Sequence, residues 1–315
     1  MFQRQVMAAL CRGLRVDTSA TSRWLAYREL SHGKSLSTCG LGAGARDFKE
    51  RLRPLGPGMV ELCLDGDSGV ATLVLDNPDR CNAFSGKMMV QLADAVSDLE
   101  RWESGVALIL KGKGGNFCAG ADLSLAREQL VTGDDGRNMC ALMTDTLTRL
   151  KRLPLVSVAA VDGAAIGGGA ELSTACDFRV AGPECNIRFV QVKMGVSTGW
   201  GGGARLVGIV GRRAALRLLA WSTPVTAEEG LALGLVDAVA VEEGGALAEA
   251  HDFLGGVLKH DAREAVRAVK NVVAAADHPV SKQLQRAEED EFSILWGAAS
   301  NRCYIVWRVS PSMRH

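Results

Sequence analysis

From Met59 onward, apolar and polar positions alternate in short blocks. Residues 59–64 and 70–75 each read as a short strand, and the polar stretch 65–69 between them carries a hairpin signal. Asn77-Pro78 interrupts the chain, and Ser85 stands where it can cap a helix running to about Trp102. Residues 106–111 read as a strand that leads into a loop over 112–122. A helix is expected over 137–152, closed by Pro154. Residues 155–161 form a nearly continuous apolar run, which suits a strand buried on both faces. A glycine-rich stretch at 163–169 follows, with a helix starting near Gly168 and short strands at 177–181 and 187–190. Beyond Gly201 the pattern is mostly helical to about Trp296. Short strands alternating with helices predict an α/β fold of stacked ββα units rather than a simple parallel sheet.

The first 45 residues break this pattern. They carry Arg4, Arg12, Arg15, Arg23, Arg28 and Lys34 against only Asp17 and Glu29, with many Ser and Thr. That composition suits either a mitochondrial presequence or a disordered tail. The expected organisation is a tail over 1–58, a core over 59–245, a helical region over 246–300 and a further tail over 301–315. Lys plus Arg balances Asp plus Glu at 36 each, so no overall field points to nucleic acid or a membrane surface. The longest apolar stretch, 153–176, is broken by Asp162 and Glu171 and is too rich in glycine for a membrane span. Nine scattered cysteines without a CxxC pair fit free thiols in a reducing compartment.

Histidine narrows the chemistry. The five histidines are His32, His251, His260, His278 and His315, so none falls among the densest motifs. A histidine-based triad or a His-rich metal site is thereby disfavoured there, and carboxylates and backbone must do the work. Two glycine-rich loops follow buried strands: Asn116-Phe117-Cys118-Ala119-Gly120-Ala121-Asp122 and Ile166-Gly167-Gly168-Gly169-Ala170-Glu171-Leu172. Each exposes backbone amides just past a strand end, and two converging amides are what an oxyanion hole needs. One such loop alone is more often a tight turn; two in succession favour a site. No dinucleotide or P-loop fingerprint is present.

Taken in order, Asn77-Pro78, Asn82-Ala83-Phe84, the 117–122 loop, the 167–171 loop, Cys176-Asp177 and Gly201-Gly202 resemble the crotonase (enoyl-CoA hydratase/isomerase) superfamily over about residues 59–245. The resemblance implies a spiral of ββα units with a C-terminal helical region, assembled as homo-trimers or hexamers. It also implies an acyl-CoA substrate whose thioester oxygen is held by the amides of Ala121 and Gly168. Coenzyme A is expected along the loop around Asn82 and along Gly120, Ala121, Asp122 and Leu123. Ser124 stands where many hydratases carry a lysine. Hydratases of that superfamily position one water with two glutamates; Glu171 matches the first, and Gln191 falls at the second. A glutamine has no basic lone pair near neutral pH, so two-glutamate hydration is not expected.

The stretches 82–89, 145–150, 153–159, 167–171, 175–179 and 187–190, with Trp200-Gly201-Gly202, are similar to a decarboxylating subgroup instead. Its members remove carboxylate from short 2-carboxyacyl-CoA thioesters: ethylmalonyl-CoA, and less well methylmalonyl-CoA. The resemblance implies a carboxy-lyase with no cofactor and no metal, a metabolite-repair role beside fatty acid synthesis, and a cytosolic location, with the mitochondrial matrix as the alternative. Glu171 is expected to return a proton to the α-carbon or to position a water that does so. Trp200 is expected to shape the acyl site, and Gln191 to touch the substrate or only backbone. Asp122 is expected more as a helix cap than a reacting group, and Arg188 as a partner of the substrate carboxylate or a structural ion pair. The rival readings are an enoyl-CoA hydratase or isomerase and a non-catalytic acyl-CoA or RNA-binding protein. Against RNA, the 137–152 helix carries only four basic residues and no aromatic platform.

Overall fold

The computed structural model describes residues 43–260 and 262–275, together with Phe292 and Trp296. The basic N-terminal tail up to residue 42, the helical expectation between Ala275 and Trp296, and the tail at 301–315 otherwise lie outside the described residues. The chain enters through α1 (Ala43–Leu52), the hairpin β1 (Met59–Asp65) and β2 (Val70–Asp76), α2 (Gly86–Arg101) and β3 (Ala107–Gly112). Next come α3 (Leu123–Gln129), α4 (Gly133–Arg152), β4 (Val156–Val161), β5 (Ala164–Ile166) and α5 (Gly168–Ser173). Strands β6 (Phe178–Ala181) and β7 (Asn186–Arg188) are followed by α6 (Gly202–Trp221), α7 (Ala227–Leu233), β8 (Ala238–Val239), α8 (Ala246–Leu258) and α9 (Arg263–Ala275).

The main sheet has the order β1-β2-β3-β4-β6-β8 and is parallel except for the antiparallel β1. A second, parallel sheet pairs β5 with β7, and Cys118 bridges to Ala165 beside it. Each turn of the spiral therefore sends one strand to the large sheet and a short one to the small sheet, as β4/β5 and β6/β7 do. This is the expected ββα arrangement. The apolar run forms β4 and is buried, with Ser157 as its polar member. Ser157 is satisfied there: its N and Oγ both donate to Asp177 Oδ2 at 2.9 Å.

Two of the expected boundaries differ from the packing. Helix α1 lies inside the stretch assigned to the tail, yet Phe48 and Leu52 are buried at helical spacing (i, i+4) and face the core. The basic, Ser-rich residues before it had masked this pattern. Nor is residue 246 a break: Ala246, Ala250 and Leu254 of α8 share one buried cluster with Val70, Ile109, Val158 and Val180 of the sheet. Helix α8 is a layer of the core itself.

Candidate active site

The site grows out of the two glycine-rich loops, and backbone hydrogen bonds hold them together. Phe84 N donates to Gly120 O at 2.7 Å, and Asp122 N donates to Phe84 O at 2.9 Å, so one residue grips the first loop on both sides of Ala121. The second loop is tied to the first by Cys118 N to Ala164 O (2.9 Å) and Ile166 N to Cys118 O (2.8 Å). Gly120 permits the approach: its φ is +89°, and a Cβ there would sit 2.9 Å from Gly168 N and 3.0 Å from Ile166 O. Gly167 takes φ +56° to turn β5 into α5, a conformation L side chains rarely adopt. The amides of Ala121 and Gly168 do not appear among the hydrogen bonds that stitch these loops, and both residues line one cavity of about 560 Å³. Two such donors on one wall can hold an oxygen that gains negative charge.

Glu171 lies on the same wall, 2% exposed, at the first turn of α5. Its Oε1 accepts from Gln191 Nε2 at 2.6 Å and, at 3.4 Å, from Gly199 N. Its Oε2 accepts from Trp200 N at 2.8 Å and Gly202 N at 2.9 Å. A carboxylate has about four acceptor positions, and N–H donors face both oxygens. The group is thus built in as an anchor for the 199–202 turn, with both oxygens held by N–H donors. Buried Arg205 reinforces the turn, donating from Nη2 to Trp200 O (2.7 Å) and Glu171 O (3.0 Å).

Trp200 is the shared wall. Its indole packs so closely on Gly168 that a Cβ there would lie 2.8 Å from the ring, and it meets Phe84 edge-on at 5.7 Å. The lining also includes Phe292 and Trp296, whose rings stack 5.1 Å apart. Trp296 is pinned by its Nε1 donating to Leu130 O at 2.8 Å. The polar side chains of the lining are Arg80, Asp122, Glu171 and Gln191; the rest is apolar or backbone. Among the described residues, no group of three or more His, Cys, Asp or Glu could hold a metal ion.

A family model described as enoyl-CoA hydratase/isomerase matches residues 65–300. The chain belongs to that family. Among relatives in the enoyl-CoA hydratase/isomerase family, the ethylmalonyl-CoA decarboxylase of Xenopus laevis is 42% identical over 280 residues, 89% of this chain and 91% of the relative. The protein of the same name from Gallus gallus is 43% identical over 265 residues (82% and 88%), and that from Homo sapiens 40% over 271 (85% and 87%). An enoyl-CoA hydratase/isomerase structure from Xanthobacter autotrophicus Py2 superposes with a TM-score of 0.70 at 25% identity, over 81% of this chain and 94% of that one. An enoyl-CoA hydratase structure from Mycobacterium avium subsp. paratuberculosis K-10 gives 0.70 at 23%, over 78% and 97%, which speaks for the fold alone.

Against this family frame, the cavity brings together Ala121, Asp122, Gly168, Glu171, Gln191 and Trp200. Asn82 is not among them. It is fully buried, and its side chain is spent inside the fold: Oδ1 accepts from Asn77 N, and Nδ2 donates to Lys113 O and Asn116 O. Asn82 shapes the loop instead of offering its side chain to coenzyme A. Gly120 likewise acts as the spacer described above, with its N–H on Cys118 Sγ and its O on Phe84 N. Asp122 caps α3 by accepting from Ser124 N at 2.8 Å and pairs with Arg80 at 2.6 Å. Arg188 does not line the cavity; its Nε donates to Ser222 O. The structure adds Arg80, Phe292 and Trp296 to the cavity lining and Arg205 behind the Trp200 turn. Arg80 sits within the 77–84 motif and was within reach of sequence reasoning, whereas the two distant aromatics had no local signal.

Proposed function

We propose that the chain is a carboxy-lyase that removes the free carboxylate of ethylmalonyl-CoA, and less efficiently of methylmalonyl-CoA, leaving butyryl-CoA and propionyl-CoA. The polar inventory of the cavity is the supporting observation. It offers two loop amides for an oxyanion, one carboxylate already engaged by N–H donors, and a carboxamide where hydration would need a second base. Decarboxylation next to a thioester needs that set and no strong base. The C–C bond electrons flow into the carbonyl as CO2 leaves, and the charge collects on the oxygen facing Ala121 and Gly168. One such donor is worth about 3–4 kcal/mol of transition-state stabilisation. The apolar lining suits departure of a neutral gas better than retention of a localised carboxylate. Relatives at about 40% identity that bear the name ethylmalonyl-CoA decarboxylase point the same way.

The same proposal takes a homo-trimer or hexamer as the working assembly and cytosolic disposal of a by-product of fatty acid synthesis as the role. The test is mass spectrometry of products after parallel incubation with ethylmalonyl-CoA and crotonyl-CoA. Butyryl-CoA from the first, with little hydroxybutyryl-CoA from the second, is the expected result. Hydration without decarboxylation would overturn it.

A further inference from the structure

Gln191 presents an unusual combination. It is 5% exposed, it lines the cavity, and its Oε1 has no hydrogen-bond partner among the described residues. The amide orientation is not arbitrary. The 2.6 Å contact to Glu171 Oε1 requires a donor, so Nε2 faces the carboxylate and Oε1 faces away from it. A buried acceptor left unpaired keeps its desolvation penalty, and a bound donor relieves it. The reacting part of a 2-carboxyacyl thioester offers only acceptors, namely a carboxylate, a carbonyl and a sulfur. Water is the donor that can share a cavity with it.

We infer that Gln191 positions a water molecule that returns the proton to the α-carbon of the enolate. This deepens the decarboxylase reading and rests on it. One O–H of the water donates to Gln191 Oε1, and the other points at the carbon that has just lost CO2. That O–H bond breaks as the Cα–H bond forms, the enolate electrons return to carbon, and the hydroxide left on Gln191 takes a proton from solvent. The other polar side chains are poorer sources. Both oxygens of Glu171 and both oxygens of Asp122 accept hydrogen bonds, and Arg80 donates to Asp122. Gln191 is thus a positioning residue that acts through the water.

A fixed water approaches one face of a planar enolate, so stereochemistry separates this role from a structural one. Ethylmalonyl-CoA is turned over in D2O, and the configuration of the deuterium at C2 of butyryl-CoA is determined. Wild type is expected to give one enantiomer. Gln191→Met, which keeps the bulk and removes the acceptor, is expected to give both, with kcat down about ten-fold or more and KM within about three-fold. Gln191→Glu can donate its acid proton to Glu171 and turn a carbonyl to the cavity, so it should restore a single enantiomer. Racemic label from wild type overturns the inference even if no variant folds. So does a single enantiomer from the Met variant, or a rise in its KM with unchanged kcat, which would place the amide against the thioester carrier. Absence of any butyryl-CoA from wild type would sink the decarboxylase reading itself, a distinct failure.

Discussion

Glu171 holds Gly199, Trp200 and Gly202 through backbone amides that cannot turn round, and Gln191 through a carboxamide that can. This asymmetry predicts the outcome of Glu171→Gln. The new amide will leave its oxygen on Trp200 and Gly202 and direct its nitrogen at Gln191, which must then rotate and show its own NH2 to the cavity. Losing the long Gly199 contact and the charge assistance should lower stability by about 1–2 kcal/mol. Turnover should fall about ten-fold, short of the 10²–10⁴-fold ascribed to a direct acid, with the C2 label becoming mixed. Thermal unfolding and the deuterium assay read the two effects separately. Cys118 gives a second prediction at this scale. Burial pushes its thiol up to about 12, and its Sγ accepts from Gly120 N in the oxyanion loop. Iodoacetamide should therefore label the exposed Cys63 and Cys81 in the folded protein and spare Cys118; mass spectrometry of the peptides decides.

Elements announced by local chemistry were legible, and those made by distant contacts were not. Ser85 does cap α2, its Oγ accepting from Met88 N, and β1 to β4 lie within a residue of the periodic runs. Helix α4 starts at Gly133 rather than near Arg137; Thr132 and Asp135 form a capping box that the sequence contained. The two-residue β8 exists only because β6 offers it an edge, which no window of sequence reveals. In the site, both glycine loops, Glu171, Gln191 and Trp200 could be read from motif order, but Asn82's internal role needed the fold around it. Helix α1 is the instructive miss, and its charges predict its behaviour. Lys49 pairs with Asp94 of α2, and Arg51 with Asp135 of α4. Burial pushes both carboxyls up, yet Lys49 and Arg53 at Asp94, and Arg51 and Thr132 at Asp135, hold them below the usual 3.8. A carboxyl depressed in the fold stabilises it at neutral pH, and that contribution fades as pH falls below 3.8 through the folded-state value. Hydrogen exchange, corrected for intrinsic rates, should show residues 43–52 losing protection before β3 and β4 do as the pH is taken below 3.8.

At the scale of the molecule, the cavity is assembled from residues that the chain separates widely. Arg80, whose side chain is 46% exposed, and the buried Asp122 line it together with Ala121, Gly168 and the Trp200, Phe292 and Trp296 rings. Two of these rings are seated on glycines. A Cβ at Gly199 would lie 2.6 Å from Phe292, and one at Gly136 of α4 would lie 2.4 Å from Trp296. A wall held this tightly leaves little room to lengthen the acyl branch, so Trp296 is expected to set the chain-length limit. Trp296→Ala should open space for the longer branch of butylmalonyl-CoA. The ratio of its kcat/KM to that of ethylmalonyl-CoA should then rise about ten-fold or more, since each methylene accommodated in an apolar pocket is worth about 1–3 kcal/mol. Gly136→Ala offers an independent route to the same wall, because its methyl must displace the ring. It should lower ethylmalonyl-CoA turnover in wild type and have little further effect beside Trp296→Ala, a non-additivity that a double-mutant cycle measures. Equal discrimination by wild type and Trp296→Ala would mean that the limit is set nearer the reacting carbon, by Trp200.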